Sequence, residues 1–353
     1  MNPDCVQPVK KFAATLLSIL LCFTLIVSMV SCNKKETWIE VDPAFSQYID
    51  AYTTGVVSKT STISIQLAAD ANTTHTVGEE VKENLFGFSP AVKGKAYWLN
   101  ARTIEFKPES WLATDQVYEV NFNLDKVTRV PDKFSKLRFN MKTLKPSFKV
   151  TENGLRSAGS KNKMSLGGEI ETADVEKGAE IEKLLSATQS NKSLKINWQH
   201  NDAAKTHLFT IDNIERGSAS SSVSLSWNGT PMGMDVKGET TISVPAAGDF
   251  KVLNVVAMNE AQQFASVQFS DPIAIGQDLT GLITISNQSD IAYTINGSEV
   301  KVFTNGKLDG NYTVNINTGI KNSWRNVLDK GFTANINFEN KMPAVKIYGK
   351  GNI

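Results

Sequence analysis

The sequence predicts an all-β chain of antiparallel β-sandwich modules in tandem, with one short helix in the middle module. Three observations lead there. Short runs of β-branched and aromatic residues alternate with polar ones at period two. These runs recur about every 10 to 15 residues between clusters of Gly, Asn, Asp and Pro. The apolar pattern of the first such unit then returns near the end of the chain. At 353 residues the chain is longer than one hydrophobic core serves, which points to modules of about 100 residues each.

Lys10 and Lys11 precede an apolar run from residue 12 to 30, followed by Ser31 and Cys32. A basic start, an apolar stretch and small residues before a processing point make residues 1–31 a lipoprotein signal peptide. A membrane-spanning helix is the competing reading of a run this long. Met29-Val30-Ser31-Cys32 resembles a bacterial lipobox, which favours Cys32 as the lipidated first residue of the mature chain. Cys5 and Cys22 fall inside the removed segment, so the mature modules hold no disulfide and depend on packing. Residues 32–44 are polar and read as a tether.

The first module spans residues 45–144. Its clearest strands are residues 62 to 67, 103 to 106, 117 to 122 and 137 to 141, each with alternate side chains apolar. The middle module, 145–249, carries strands near 166 to 170, 194 to 198, 208 to 211, 222 to 227 and 240 to 244. It also has a helix near 175–187, with Asp174 as N-cap and an apolar stripe of Val175, Ile181, Leu184 and Leu185. The third module, 250–346, repeats the first. Ile63, Ile65 and Leu67 match Ala265, Val267 and Phe269, and Leu85 and Phe88 match Leu282 and Ile285. Ile104 and Phe106 match Val300 and Val302, Leu112 matches Leu308, and Tyr118, Val120 and Phe122 match Tyr312, Val314 and Ile316. Residues 347–353 read as the start of a further module.

The formal net charge of +1 argues against a nucleic-acid surface. Lys133, Lys136, Arg138, Lys142 and Lys145 form a local basic patch whose plain reading is solvated strand and loop lysines. Nucleophilic catalysis needs a base within reach, and the only three histidines are His75, His200 and His207. His75 reads as a loop residue. His200 and His207 lie on either side of Asn201-Asp202-Ala203-Ala204-Lys205, which reads as a hairpin turn, and are read as surface histidines. A metal at that turn would need a third ligand, with Asp202 or Asp212 nearest. Asp42, Asp50 and Asp70 fall in separate loops with no sign of an acid and base pair. The sequence has no Gly-x-Ser-x-Gly, His-Glu-x-x-His, phosphate loop or Cys-x-x-Cys. It therefore assigns no catalytic, cofactor-binding or metal residue, and its one modification site is lipidation of Cys32. Trp98, Trp198 and Trp227 read as core, while Trp111 and Trp324 lie at loops.

Several stretches together resemble the N-terminal macroglobulin-like domains of bacterial α2-macroglobulin lipoproteins of the Bacteroidetes type. They are Phe269-Ser270-Asp271-Pro272, Gln277-Asp278-Leu279-Thr280-Gly281-Leu282-Ile283, Leu308-Asp309-Gly310-Asn311-Tyr312-Thr313-Val314 and Val244-Pro245-Ala246-Ala247-Gly248-Asp249-Phe250. Generic bacterial Ig-like domains share parts of these patterns. The resemblance implies tandem Ig-like or macroglobulin-like sandwiches in a protein that entraps proteases. The Cys-x-Glu-Gln thioester of many members has no counterpart here, nor is there a bait segment. The expectation is a non-enzymatic anchoring and scaffold portion of a protease inhibitor, from a truncated or split gene product. Its partners would be the membrane, through the lipid, and proteases only through other domains, with no nucleic acid and no small-molecule substrate. The alternative is an Ig-like adhesion or glycan-binding surface lipoprotein. No acidic run follows Cys32, which favours the outer membrane facing the periplasm over the cell surface.

Overall fold

The computed structural model describes residues 38–72 and 74–339. The signal segment, Cys32, most of the tether and residues 347–353 lie outside the described residues. Among those described, no helix is long and apolar enough to cross a membrane.

The described residues from Pro43 onward belong to one compact unit and form six sheets, two from each of three successive stretches. The first stretch holds β1 (Ile49–Tyr52), β2 (Gly55–Val57), β3 (Ile63–Leu67), β4 (Phe86–Ser89), β5 (Gly94–Trp98), β6 (Thr103–Pro108), β7 (Val117–Asn123) and β8 (Lys136–Thr143). One sheet has the order β1-β3-β6-β5 and the other β2-β8-β7-β4. Strict alternation drives this layering. Ile63, Ile65 and Leu67 of β3 and Tyr118, Val120 and Phe122 of β7 are buried, while the residues between them are only partly so. A two-residue repeat gives each sheet one apolar face, and the two faces share a core. β2 is the exception to the antiparallel expectation, since it pairs parallel with β8.

The second stretch holds β9 (Phe148–Ser160), β10 (Lys163–Thr172), helix α1 (Gly178–Ile181), β11 (Leu185–Gln189), β12 (Lys192–Ser193), β13 (Ile196–Asn201), β14 (Thr206–Glu215), β15 (Ser221–Asn228) and β16 (Lys237–Val244). The third holds β17 (Val252–Met258), β18 (Phe264–Phe269), β19 (Ile283–Ile285), β20 (Ile291–Asn296), β21 (Glu299–Thr304), β22 (Gly310–Ile316) and β23 (Phe332–Phe338). Their first sheets run β9-β10-β14-β13 and β17-β18-β21-β20, which is the order of β1-β3-β6-β5. Their second sheets share a three-strand centre, β11-β15-β16 and β19-β22-β23, corresponding to β4-β7-β8. The middle stretch thus repeats the same topology, although its sequence pattern is looser.

Register makes the relation between the outer stretches concrete. Ile63 faces Phe106 and Ile65 faces Ile104, as Ala265 faces Val302 and Val267 faces Val300. Phe88 faces Val120 as Ile285 faces Val314. These residues, matched along the sequence, are therefore matched in pairing as well.

The helix expected over 175–187 is much shorter. α1 ends at Ile181, residues 182 to 184 form a 3₁₀ turn, and Leu185 begins β11. Leu185, Ala187 and Gln189 are buried at alternate positions and pair with β15, so cross-strand partners override a weak helical stripe. Asp174 is not the helix cap. Lys177 occupies that position, and the Asp174 carboxylate is engaged elsewhere.

Candidate functional site

The sheets above leave few buried charges, and most of those gather at two places where one sandwich meets the next. At the junction of the first and second sandwiches, Asp174 is 2% exposed. Its carboxylate accepts hydrogen bonds from the Lys59 amide at 2.7 Å and the Ser58 hydroxyl at 2.5 Å. The Lys59 ammonium, also buried, donates to Glu176 Oε2 at 2.6 Å. Alternation over 172 to 176 places Thr172, Asp174 and Glu176 on one buried side, which turns both carboxylates toward the first sandwich.

The second and third sandwiches meet around Arg216, whose side chain is 0% exposed. It follows β14 and inserts its fork among loop carbonyls. Nη2 donates to the Ala246 and Asp249 carbonyls, Nε to Pro245, and Nη1 to Lys161 and Ser270. Nη1 also meets Asp271 Oδ1 at 2.5 Å, and Asp271 takes a second hydrogen bond from the Ser270 hydroxyl. A planar fork that serves several acceptors at once is what arginine provides and lysine does not. Asp271 belongs to the Phe269-Ser270-Asp271-Pro272 motif, but no sequence signal singled out Arg216, Lys59 or Glu176.

The histidines meet different fates. His75 stacks on Trp98 with ring centroids 4.0 Å apart, and its Nδ1 lies 3.7 Å from Glu79. His200 and His207 face each other across the β13–β14 hairpin with Nδ1 atoms 3.0 Å apart. His207 is not a surface residue, because its side chain is 0% exposed. Position 207 is in phase with the buried Phe209 and Ile211, whereas Leu208 points outward and is 44% exposed. Burial, and then the proximity of His200, hold the His207 pKa below its ordinary value, with Asp202 opposing them. Of the two carboxylates named as third ligands, Asp202 lies 3.9 Å from His207 Nδ1, and Asp212 accepts from Asn197 instead. Among the described residues no group of three or more His, Cys, Asp or Glu is arranged to hold a metal.

The remaining candidates meet ordinary structural partners. Asp50 and Asp70 both lie 3.8 Å from Arg102, which makes them ion-pair partners of one guanidinium. Within the basic patch, Arg138 pairs with Glu119 at 2.7 Å and Lys142 with Asp115 at 3.0 Å. Trp98 is buried, and Trp198 and Trp227 pack partly buried against the second core. Trp111 is 43% exposed, but the ammonium groups of Lys59 and Lys177 lie 4.9 and 5.2 Å from its ring centroid.

No protein-family model matches the chain, and neither does any curated protein. Among solved structures it is similar to an L,D-transpeptidase from Mycobacterium tuberculosis H37Rv, at 12% identity over 66% of this chain and 75% of that one, with a TM-score of 0.20. It is also similar to SGBP-B of the Bacteroides ovatus mixed-linkage glucan utilization locus, at 10% identity over 82% and 66%, with a TM-score of 0.26. A third is the D1-D4 ectodomain fragment of ICAM-5, at 10% identity over 86% and 77%, with a TM-score of 0.24. The β-sandwich fold class rests on the chain's own sheets and their alternately buried faces.

Proposed function

We propose that the chain is a non-catalytic scaffold of the bacterial envelope, tethered through an acylated Cys32 at the outer membrane and facing the periplasm. In this reading it is the anchoring portion of an α2-macroglobulin-like protease inhibitor, and it positions the entrapment machinery without containing it. The observation that supports a scaffold is the pair of sandwich junctions closed by buried charge, above all the fully enclosed Arg216 with its six acceptor groups. Modules joined by mobile linkers keep polar, accessible contacts between them. A guanidinium placed where leaving its site strands a buried carboxylate fixes one relative orientation instead.

The test has two arms. Fatty-acid labelling and fractionation of cells should find the protein acylated and in the membrane fraction, and the Cys32→Ala variant should be unlabelled and soluble. Incubated with a panel of proteases, the chain alone should form no SDS-stable adduct, and its small-angle scattering should fit one rigid arrangement of sandwiches. A covalent adduct, or scattering that requires many arrangements, would remove the scaffold reading. Selective binding on a glycan array would replace it with the adhesin alternative.

A further inference from the structure

The His200–His207 pair lies directly behind the segment that holds the first sandwich. The His200 ring rests against the backbone of Gly178, where a Cβ would stand 2.5 Å from His200 Cδ2. Gly178 follows the stretch whose Asp174 and Glu176 grip Ser58 and Lys59. The hairpin turn holds that stretch from its other end, since the Lys205 carbonyl accepts from the Thr172 amide and the Lys205 ammonium donates to the Ala173 carbonyl.

Only one distribution of protons suits the neutral pair. Glu182 Oε1 lies 3.2 Å from His200 Nε2, which therefore carries its proton and leaves His200 Nδ1 as an acceptor. His207 Nδ1–H then donates across the 3.0 Å gap, and His207 Nε2 is left as a buried lone pair without a partner. Adding one proton disturbs this whichever ring receives it. Either two N–H groups confront each other at the Nδ1 gap, or His207 acquires an N–H at Nε2, which has no hydrogen-bond partner among the described residues. His200, with a side chain 23% exposed, has an open route to relieve the conflict by leaving Gly178 for solvent.

We propose that His200 and His207 form a pH-sensitive latch on the junction between the first and second sandwiches. The junction is closed while the pair is neutral and loosens when the pair takes up a further proton. The charged groups facing the pair are Glu182 from the 3₁₀ turn after α1 and Asp202 from the hairpin turn. Lys205 turns toward Ala173, and Lys183 is engaged by Glu180. Glu169 and Glu171 of β10 flank Ile170, which pairs with His207, and so project from the opposite face of the sheet.

Hydrogen exchange on the full chain, expressed as protection factors, tests the latch. The Lys59 and Val175 amides, both donors to Asp174, should lose about tenfold in protection between about pH 7.5 and about pH 5.5. The Ser270 amide, which donates to Lys251 at the other junction, should not change over that range. In His207→Phe the loss should vanish. His200→Gln, an uncharged change at a half-buried site, should reduce it to less than about threefold and serves if the first variant does not fold. Protection at Lys59 that stays constant over this range would overturn the proposal. So would an undiminished loss in the variants, which would place the effect on the Asp174 and Glu176 carboxylates.

Discussion

Replacing Arg216 by Ala tests the junction between the second and third sandwiches most directly. The change removes a side chain that is 0% exposed and leaves Asp271, 1% exposed, with the Ser270 hydroxyl as its one remaining side-chain donor among the described residues. Stranding one member of a buried ion pair costs about 3 to 5 kcal/mol, most of it from the uncompensated charge. The carbonyls of Pro245, Ala246 and Asp249 lose their arginine donor as well, which places Arg216→Ala toward the upper end of that range. Removing the stranded charge should recover much of the loss, so Arg216→Ala with Asp271→Ala should cost less than the sum of the single changes by about 2 kcal/mol. Urea unfolding followed by tryptophan fluorescence and by circular dichroism reads both quantities, and coincidence of the two transitions shows whether the sandwiches unfold together. A single-variant cost under about 1 kcal/mol, or strict additivity in the double variant, would refute the argument that this arginine closes the junction.

Lys59→Met should destabilise the first junction by about 3 kcal/mol by stranding Glu176, and adding Glu176→Gln should restore a good part of it, measured by the same urea titration. Gly168→Ala should cost about 1 to 3 kcal/mol, because its Cβ would stand 2.3 Å from the Phe209 ring and 2.5 Å from the Thr151 carbonyl oxygen. A melting temperature unchanged within a degree would contradict that clash. The depressed pKa of His207 means that the unfolded chain binds the proton more readily than the folded one. Its contribution to stability is present above about pH 6.5, the ordinary histidine value, and is lost as pH falls from there through the lower folded pKa. The urea midpoint should therefore drop between about pH 7.5 and about pH 5.5 in the native chain and stay flatter in His207→Phe.

Much of the β architecture was legible because burial on one face writes itself into alternation. Ile63, Ile65 and Leu67 could be read as a strand, and as the partner of a later strand, from their types and spacing alone. The misreadings occur where the local pattern was ambiguous. Leu185 fits a helical stripe and a strand equally well, and its pairing with Trp227 decided for the strand. Around position 208 both phases carry apolar residues, and only packing shows that His207 belongs to the core phase of Phe209 and Ile211 and not to the surface.

The charged junctions follow a different logic. Lys59 meets Glu176 across 117 positions of sequence, and Arg216 meets Asp271 across 55. No short motif can register such a pairing, because each charge taken alone looks like any other loop residue until the docking of two sandwiches excludes water from it. The amino-acid order by itself therefore determined the fold class and the alternation that the outer stretches share. The tertiary structure alone decided how the sandwiches are joined, which carboxylates lose their water, and that two histidines share one proton contact behind a junction. Alternation is a local consequence of a two-residue repeat. Desolvation of a charge is a collective consequence of everything packed around it.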